Sequence, residues 1–210
     1  MSFVYMKILE SRPERYDIGM GLLTLGTLTK IKQQIAEHTH PGDQVLDLGC
    51  GTGTLAQMCI ERGALVTGVD ANSGMLAVAK RNSPSANYLN ISLSNLDEHL
   101  GDESFDIILS TLAFSELTRA ERIHVLKQIK RILKNEGKVL IGDEIIPENF
   151  FAKCFYYAFR LPMRLLTWVM TQTTTNAIPS FEDEVREAGM QIVNRKPFML
   201  GMFILLEIKK

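Results

Sequence analysis

The sequence predicts a single-domain, three-layer α/β sandwich. Its sheet is seven-stranded and mainly parallel, with an antiparallel C-terminal strand and a helical insertion after the fifth strand. Three observations lead there. Short apolar runs alternate with amphipathic stretches of roughly 10–15 residues, the pattern of strand–helix–strand units. The first apolar run ends in a glycine-rich turn that opens a helix. After the fifth run the alternation stops, and two strand-like segments close the chain, which suits an antiparallel edge on a parallel sheet.

Each element has a local reason. Residues 14–39 carry Leu28, Ile31 and Ile35 at helical spacing and predict one or two helices before the turn Pro41-Gly42-Asp43. Gln44–Leu48 is a short apolar run suited to a buried parallel strand. Thr54–Arg62 follows as a helix closed by Gly63. Leu65–Asp70 is the second strand, and Ser73–Arg81 its helix, with Ser73 the expected N-cap. Residues 87–92 give a third strand, Phe105–Thr111 a fourth, Thr118–Leu133 an amphipathic helix and Gly137–Gly142 a fifth strand. Residues 147–170 read as an aromatic-rich helical pair, and 171–175 as an irregular polar connection. Ser180 should cap a helix stopped at Gly189, before strands at 190–195 and 202–209 joined by a turn near Pro197–Gly201.

The chain divides accordingly. Residues 1–40 form an N-terminal helical cap, 44–146 a ligand-binding core, 147–179 an insertion, and 180–210 the closing helix and strand pair. A length of 210 residues suits one well-buried domain. The formal charge of -1 offers no basic footprint for nucleic acid. Cys50, Cys59 and Cys154 have no paired short spacing, which points to a reduced, cytoplasmic protein without a disulfide framework or metal site. The most apolar late stretch, 150–170, is broken by Lys153, Arg160, Pro162 and Arg164, so no transmembrane segment is expected.

The chemistry concentrates at Val45–Gly53, V-L-D-L-G-C-G-T-G. Glycines at 49, 51 and 53 permit a tight turn and close approach of backbone amides to a ligand. The next helix presents unpaired N–H groups. In the dinucleotide pattern G-x-G-x-x-G the third glycine lies five positions after the first; here it lies four after it, and Thr54 takes the fifth position. That spacing disfavours a nicotinamide oxidoreductase. Asp47 sits two residues before the first glycine. Asp70 ends the second strand, where a carboxylate can accept from both hydroxyls of a ribose.

D-L-G-C-G-T-G followed by an acid at the second strand end resembles the first two motifs of the class I, Rossmann-like S-adenosylmethionine-dependent methyltransferases. Ser104–Ile108 and Leu133–Ile141 resemble the family's fourth- and fifth-strand motifs. The resemblance implies S-adenosylmethionine as cofactor. It implies Gly49, Cys50, Gly51 and Gly53 around its methionine end, Asp47 orienting the loop or reaching the ammonium through water, and Asp70 on the ribose. It further implies Ala71 and Met75 beside the adenine and Ser110 under the methionine portion. Tyr16-Asp17 resembles a pair in quinone-biosynthesis methyltransferases that helps cover the cofactor. Where relatives place an adenine-binding Asp, this chain has Ser92-Leu93. The stretch 5–26 resembles methyltransferases associated with corrinoid proteins, which would make such a protein a partner.

The implied activity is methylation of a small or protein-bound, cofactor-like acceptor. The alternative is a non-catalytic S-adenosylmethionine-binding regulatory or partner protein. No N/D/S-P-P-Y/F/W run and no Pro-Cys pair is present, which demotes nucleic-acid bases as acceptors. Candidate bases are Asp143, Glu144 and His99, and Phe114, Ser115 and Glu116 follow the fourth strand, where ligands collect in such sheets. The aromatics of 150–168, with Arg160 and Arg164, suit packing on the body equally with an acceptor pocket or partner surface. His38, His40 and His124 have no visible catalytic or metal partner.

Overall fold

A computed structural model describes residues 13–147, 149–151, 153–154, 156–157, 178–179 and 181–210. Seven strands form one sheet: β1 (Gln44–Leu48), β2 (Leu65–Val69), β3 (Asn87–Leu89), β4 (Phe105–Thr111), β5 (Leu133–Glu144), β6 (Gln191–Phe198) and β7 (Phe203–Lys209). Their order is β3-β2-β1-β4-β5-β7-β6, and only the pairings of β7 with β5 and β6 are antiparallel.

Period-two alternation places successive side chains of each strand in different layers. Leu46, Leu48, Ile108, Val139 and Ile141 pack beneath helices α5 (Arg119–Ile132) and α6 (Phe181–Glu187). Val45, Ile107, Leu109 and Leu140 face the opposite layer, with Ile31 and Ile35 of α2 (Thr27–Ala36) and Leu55 and Cys59 of α3 (Thr54–Ile60). The strands at the centre are therefore apolar on both faces, which is why β1 and β4 read as continuous hydrophobic runs.

Several boundaries differ from the sequence expectation. The first helical region divides into α1 (Tyr16–Leu23) and α2, with Gly26 at φ 74° as the N-cap of α2. Asn72, not Ser73, caps α4 (Ser73–Asn82), its side chain accepting from the amides of Gly74 and Met75. An amide oxygen one residue earlier reaches the free N–H groups that a seryl hydroxyl at 73 would have to approach from inside the helix. The third strand ends at Leu89, and Ser92 instead caps the 3-10 turn Leu93–Glu98. Strand β5 begins at Leu133, with an irregularity opposite Phe105/Ile107 absorbing the extra residues. Strand β6 runs through Pro197, which the edge tolerates because β7 is its sole neighbour in the sheet. Thr118 caps α5 through a capping box with Glu121, as its sequence predicts.

Within the insertion, the described residues Phe150, Phe151, Lys153, Cys154, Tyr156 and Tyr157 are helical. The expected second helix, the connection at 171–175 and the cap Ser180 lie outside the described residues. No helix among the described residues is long and apolar enough to cross a membrane.

A buried ion pair ties α5 to α6. Arg122 donates through Nε and Nη2 to the two oxygens of Glu184 at 2.6 and 2.7 Å, and through Nη1 to the Leu117 carbonyl. Their exposures are 6% and 1%. Removing one partner strands a charge in the core. Glu184→Ala should therefore lower unfolding free energy by about 3–5 kcal/mol in urea titrations, whereas an exposed pair contributes under about 1 kcal/mol.

Candidate active site

A cleft of about 390 Å³ opens at the carboxyl ends of β1, β2 and β4, where doubly wound sheets bind ligands. Tyr16, Gly49, Gly51, Asp70, Ala71, Asn72, Met75, Thr111, Leu112, Ala113 and Glu116 line it. Its floor is the turn between β1 and α3. Gly49 has φ 69°, and a Cβ there would stand 2.5 Å from the Cβ of Ala113, so the turn lies directly against the segment after β4. Gly53, at φ 75°, is the N-cap of α3, and a Cβ there would meet Ser83 Oγ and Tyr88 Oη at 2.8 Å. Neither position admits a side chain without displacing its neighbours.

Hydrogen bonds fix the turn from three directions. The amides of Gly49 and Cys50 both donate to the Val69 carbonyl, at 2.8 and 3.0 Å, locking the ends of β1 and β2 together. The Gly51 amide donates to Asp70 Oδ2 and the Asn72 amide to Oδ1, each at 2.8 Å. From α1, Asp17 Oδ2 accepts from the hydroxyls of Thr52 (2.7 Å) and Thr54 (2.9 Å), while Lys32 lies 3.5 Å from Oδ1. Asn82 donates to the Thr52 carbonyl from the remaining side.

Two carboxylates in this region carry raised pKa values. Burial pushes Asp70 upward, opposed by the two amide hydrogen bonds. Each of its oxygens still has a second lone pair with which to accept from a ligand hydroxyl. Asp47 is the more extreme case. It is 1% exposed, and neither oxygen has a hydrogen-bond partner among the described residues. Burial lifts its pKa to about 7, with the Lys32 charge pulling down and the Asp70 charge pushing up. Burial also pushes the thiol of Cys50 far upward, so it is no nucleophile.

The residues expected from the sequence separate into two groups. Tyr16, Gly49, Gly51, Asp70, Ala71 and Met75 line the cleft together. Cys50 and Gly53 belong to the turn without lining it, and Asp47 is buried in the strand that precedes it. Ser110 is 1% exposed and donates to the Leu48 carbonyl at 3.0 Å, bracing β4 against β1. Ser92 and Leu93 start the 3-10 turn after β3 and are not among the lining residues.

Among the proposed bases, Asp143 is fully buried. It accepts from the amides of Phe114, Ser115 and Glu144, which makes it the anchor of the segment after β4. Burial raises its pKa to about 6 against those hydrogen bonds. Glu144 is also buried, and His99 sits at the end of the 3-10 turn with Nδ1 3.1 Å from the Asn95 carbonyl. None of the three lines the cleft, whereas Glu116 does. Sequence reasoning missed the role of Asn72, Thr111, Leu112 and Ala113 as walls. Leu112 holds φ 61°, a left-handed value that no pattern in a one-dimensional sequence announces for leucine.

The orphaned carboxylate has a measurable signature. Asp47 binds a proton in the folded chain up to about pH 7 but only to about 3.8 when unfolded. The folded state thus holds the extra proton between those values, and stability falls as pH rises through that window. Asp47→Asn should remove this component, on the order of 4 kcal/mol across the window. The ligand-free variant should be the more stable protein at pH 8, which thermal and urea unfolding at pH 5 and 8 will report.

Comparison with known proteins identifies the family. The methyltransferase domain family matches residues 45–137. A demethylmenaquinone methyltransferase of Thermotoga maritima is 31% identical over 172 residues, covering 78% of this chain and 70% of that protein. A protein of the same name from Alkalihalophilus pseudofirmus is 26% identical, covering 93% and 91%. Among solved structures, a TehB-like SAM-dependent methyltransferase from Corynebacterium glutamicum superimposes with a TM-score of 0.68 at 21% identity. That superposition covers 95% of this chain and 98% of the other, and speaks for the fold alone. The chain belongs to the class I S-adenosylmethionine-dependent methyltransferases, with S-adenosylmethionine as its cofactor.

Proposed function

We propose that this protein transfers a methyl group to a small-molecule acceptor of the hydroquinone class, in the cleft at the ends of β1, β2 and β4. The observation that carries the placement is Asp70. It is a half-buried carboxylate aimed by two backbone amides into a cavity whose opposite requirement, an apolar wall, is met by Met75, Leu112 and Ala113. The acceptor class follows the demethylmenaquinone acceptor in the names of the Thermotoga and Alkalihalophilus relatives.

The residues present fit the cofactor. The glycine turn offers backbone at close range for the methionine end, and Asp70 offers acceptors for the ribose hydroxyls. Ala71 and Met75 offer a flat apolar flank for the base. Asp47, buried in the strand before the turn and without a hydrogen-bond partner among the described residues, would give up its proton to face the ammonium through water. When bound, the cofactor supplies an electrophilic methyl on a sulfonium. The chain's own contribution is positioning and exclusion of water, and well-oriented reactants can account for about 7–11 kcal/mol of a barrier.

A phenolic acceptor must also lose a proton to make its ring carbon nucleophilic. Among the described residues, Glu116 and Asp70 are the carboxylates that line the cleft. With Asp70 assigned to the ribose, Glu116 is the proposed proton acceptor. Asp143, with both oxygens engaged by amides, positions the 3-10 turn Phe114–Glu116 that carries Glu116. The corrinoid association draws on residues 5–26, of which 5–12 are not among the described ones. Within the remainder, Asp17 bonds the glycine turn, and the proposal is built without a corrinoid partner. The non-catalytic binder is set aside with it, since the chain's family is one of enzymes.

The test is transfer from methyl-labelled S-adenosylmethionine to a short-chain demethylnaphthoquinol kept reduced by dithionite. Ring-methylated product is expected, and cofactor binding without transfer to any hydroquinone would reject the acceptor class. Glu116→Gln should retain affinity for S-adenosylhomocysteine while losing about 100-fold or more in kcat, the range for a removed general base. Asp70→Ala should weaken S-adenosylhomocysteine binding by roughly 1.5–3 kcal/mol in calorimetry, the range for hydrogen bonds to a charged group.

A further inference from the structure

Helix α1 is joined to the cleft region by two kinds of contact, one that shares residues with the cleft lining and one that does not. Tyr16 and Met20 form a small buried cluster with Leu28, Met75 and Leu112. Of these, Tyr16, Met75 and Leu112 line the cleft. Next to Tyr16, Asp17 places a single carboxylate oxygen on two hydroxyls of the glycine turn, those of Thr52 and Thr54, while Lys32 faces its other oxygen. Thr52 is 1% exposed, and its own hydroxyl also lies 3.1 Å from that of Thr54. Asp17 itself is partly open to solvent, with 40% of its side chain exposed. None of the atoms it bonds is a cleft-lining group.

We infer that Asp17 is a positioning residue: by holding the Thr52 and Thr54 hydroxyls it sets the glycine turn in its binding conformation and couples docking of α1 to cofactor occupancy. The turn needs such a brace. Three consecutive alternate residues, Gly49, Gly51 and Gly53, hold left-handed φ values, and glycine has the most conformational freedom to lose. A carboxylate that joins the two residues flanking Gly53 removes much of that freedom before the ligand arrives. A brace from a separate helix also makes the coupling reciprocal. Whatever factor α1 docking adds to cofactor affinity, cofactor binding must add to α1 docking. The inference rests on the cleft being the cofactor site, and it is independent of the acceptor.

The experiment uses S-adenosylhomocysteine as the probe, with calorimetry for affinity and hydrogen exchange for the amides of residues 16–23. In the unaltered protein the ligand should slow exchange throughout α1. Asp17→Ala should weaken binding about tenfold or more, the loss of hydrogen bonds to a charged group, and abolish the ligand-induced protection of α1. Thr54→Val, which keeps shape and removes the hydroxyl, should weaken binding severalfold alone and add nothing in the Asp17→Ala background. Thr54→Ser should restore affinity. Unchanged affinity in a folded Asp17→Ala protein, multiplicative effects in the double variant, or α1 exchange indifferent to ligand would each overturn the coupling. If Asp17→Ala does not fold, the Thr54 pair decides alone. Asp70→Ala separates the two readings. If it leaves affinity unchanged the cleft assignment has failed, and if it alone weakens binding only the brace has failed.

Discussion

The structure turns on one piece of backbone, the turn from Gly49 to Gly53 between β1 and α3, in which every second residue is a left-handed glycine. Its geometry is unfavourable for any residue with a side chain and entropically costly even for glycine. It persists because every direction is held: Val69 carbonyl behind, Asp70 at Gly51, Asn82 at Thr52, Asp17 across Thr52 and Thr54. The elements that supply those groups are the ends of β2 and α4 and the start of α1. The sheet order and the crossover helices matter to function chiefly because they bring these three ends to one spot.

Three acids near that spot show how environment assigns role. Asp70, Asp47 and Asp143 have pKa values raised by burial. Asp143 spends its lone pairs on three amides and becomes architecture. Asp70 spends part of its capacity on two and keeps the rest for the cleft. Asp47 has no partner among the described residues, the condition under which a buried carboxylate most favours a cationic group or a proton.

Much of this was legible from the chain alone. The alternation of apolar runs and amphipathic stretches located the first five strands and the two apolar segments after it the last two, while the glycine turn and Asp70 picked out Gly49, Gly51 and Asp70, which line the cleft. The limits were physical ones. The cap of α4 moved to Asn72 because Asx side chains reach the first-turn amides from outside the helix, a choice that spacing does not distinguish from Ser73. Asp143, expected to follow the fifth strand, is instead part of β5 and buried, while Glu116 three residues beyond Ala113 lines the cleft. That difference depends on the left-handed Leu112, a conformation imposed by tertiary packing and not by leucine's own preference. The reach of Asp17 to Thr52 and Thr54 spans 35 and 37 residues, and pairings of that separation carry no periodic trace.

The sheet order has a further consequence for how the protein is made. Strand β6 leaves the ribosome before β7, yet β7 is its sole neighbour and lies between it and β5. Until Phe203–Lys209 emerges, β5 presents an open edge and β6 has nowhere to dock. The nascent protein therefore completes the half that carries the cleft while its other half still has two unsatisfied strand edges, the stage at which a chaperone has most to protect.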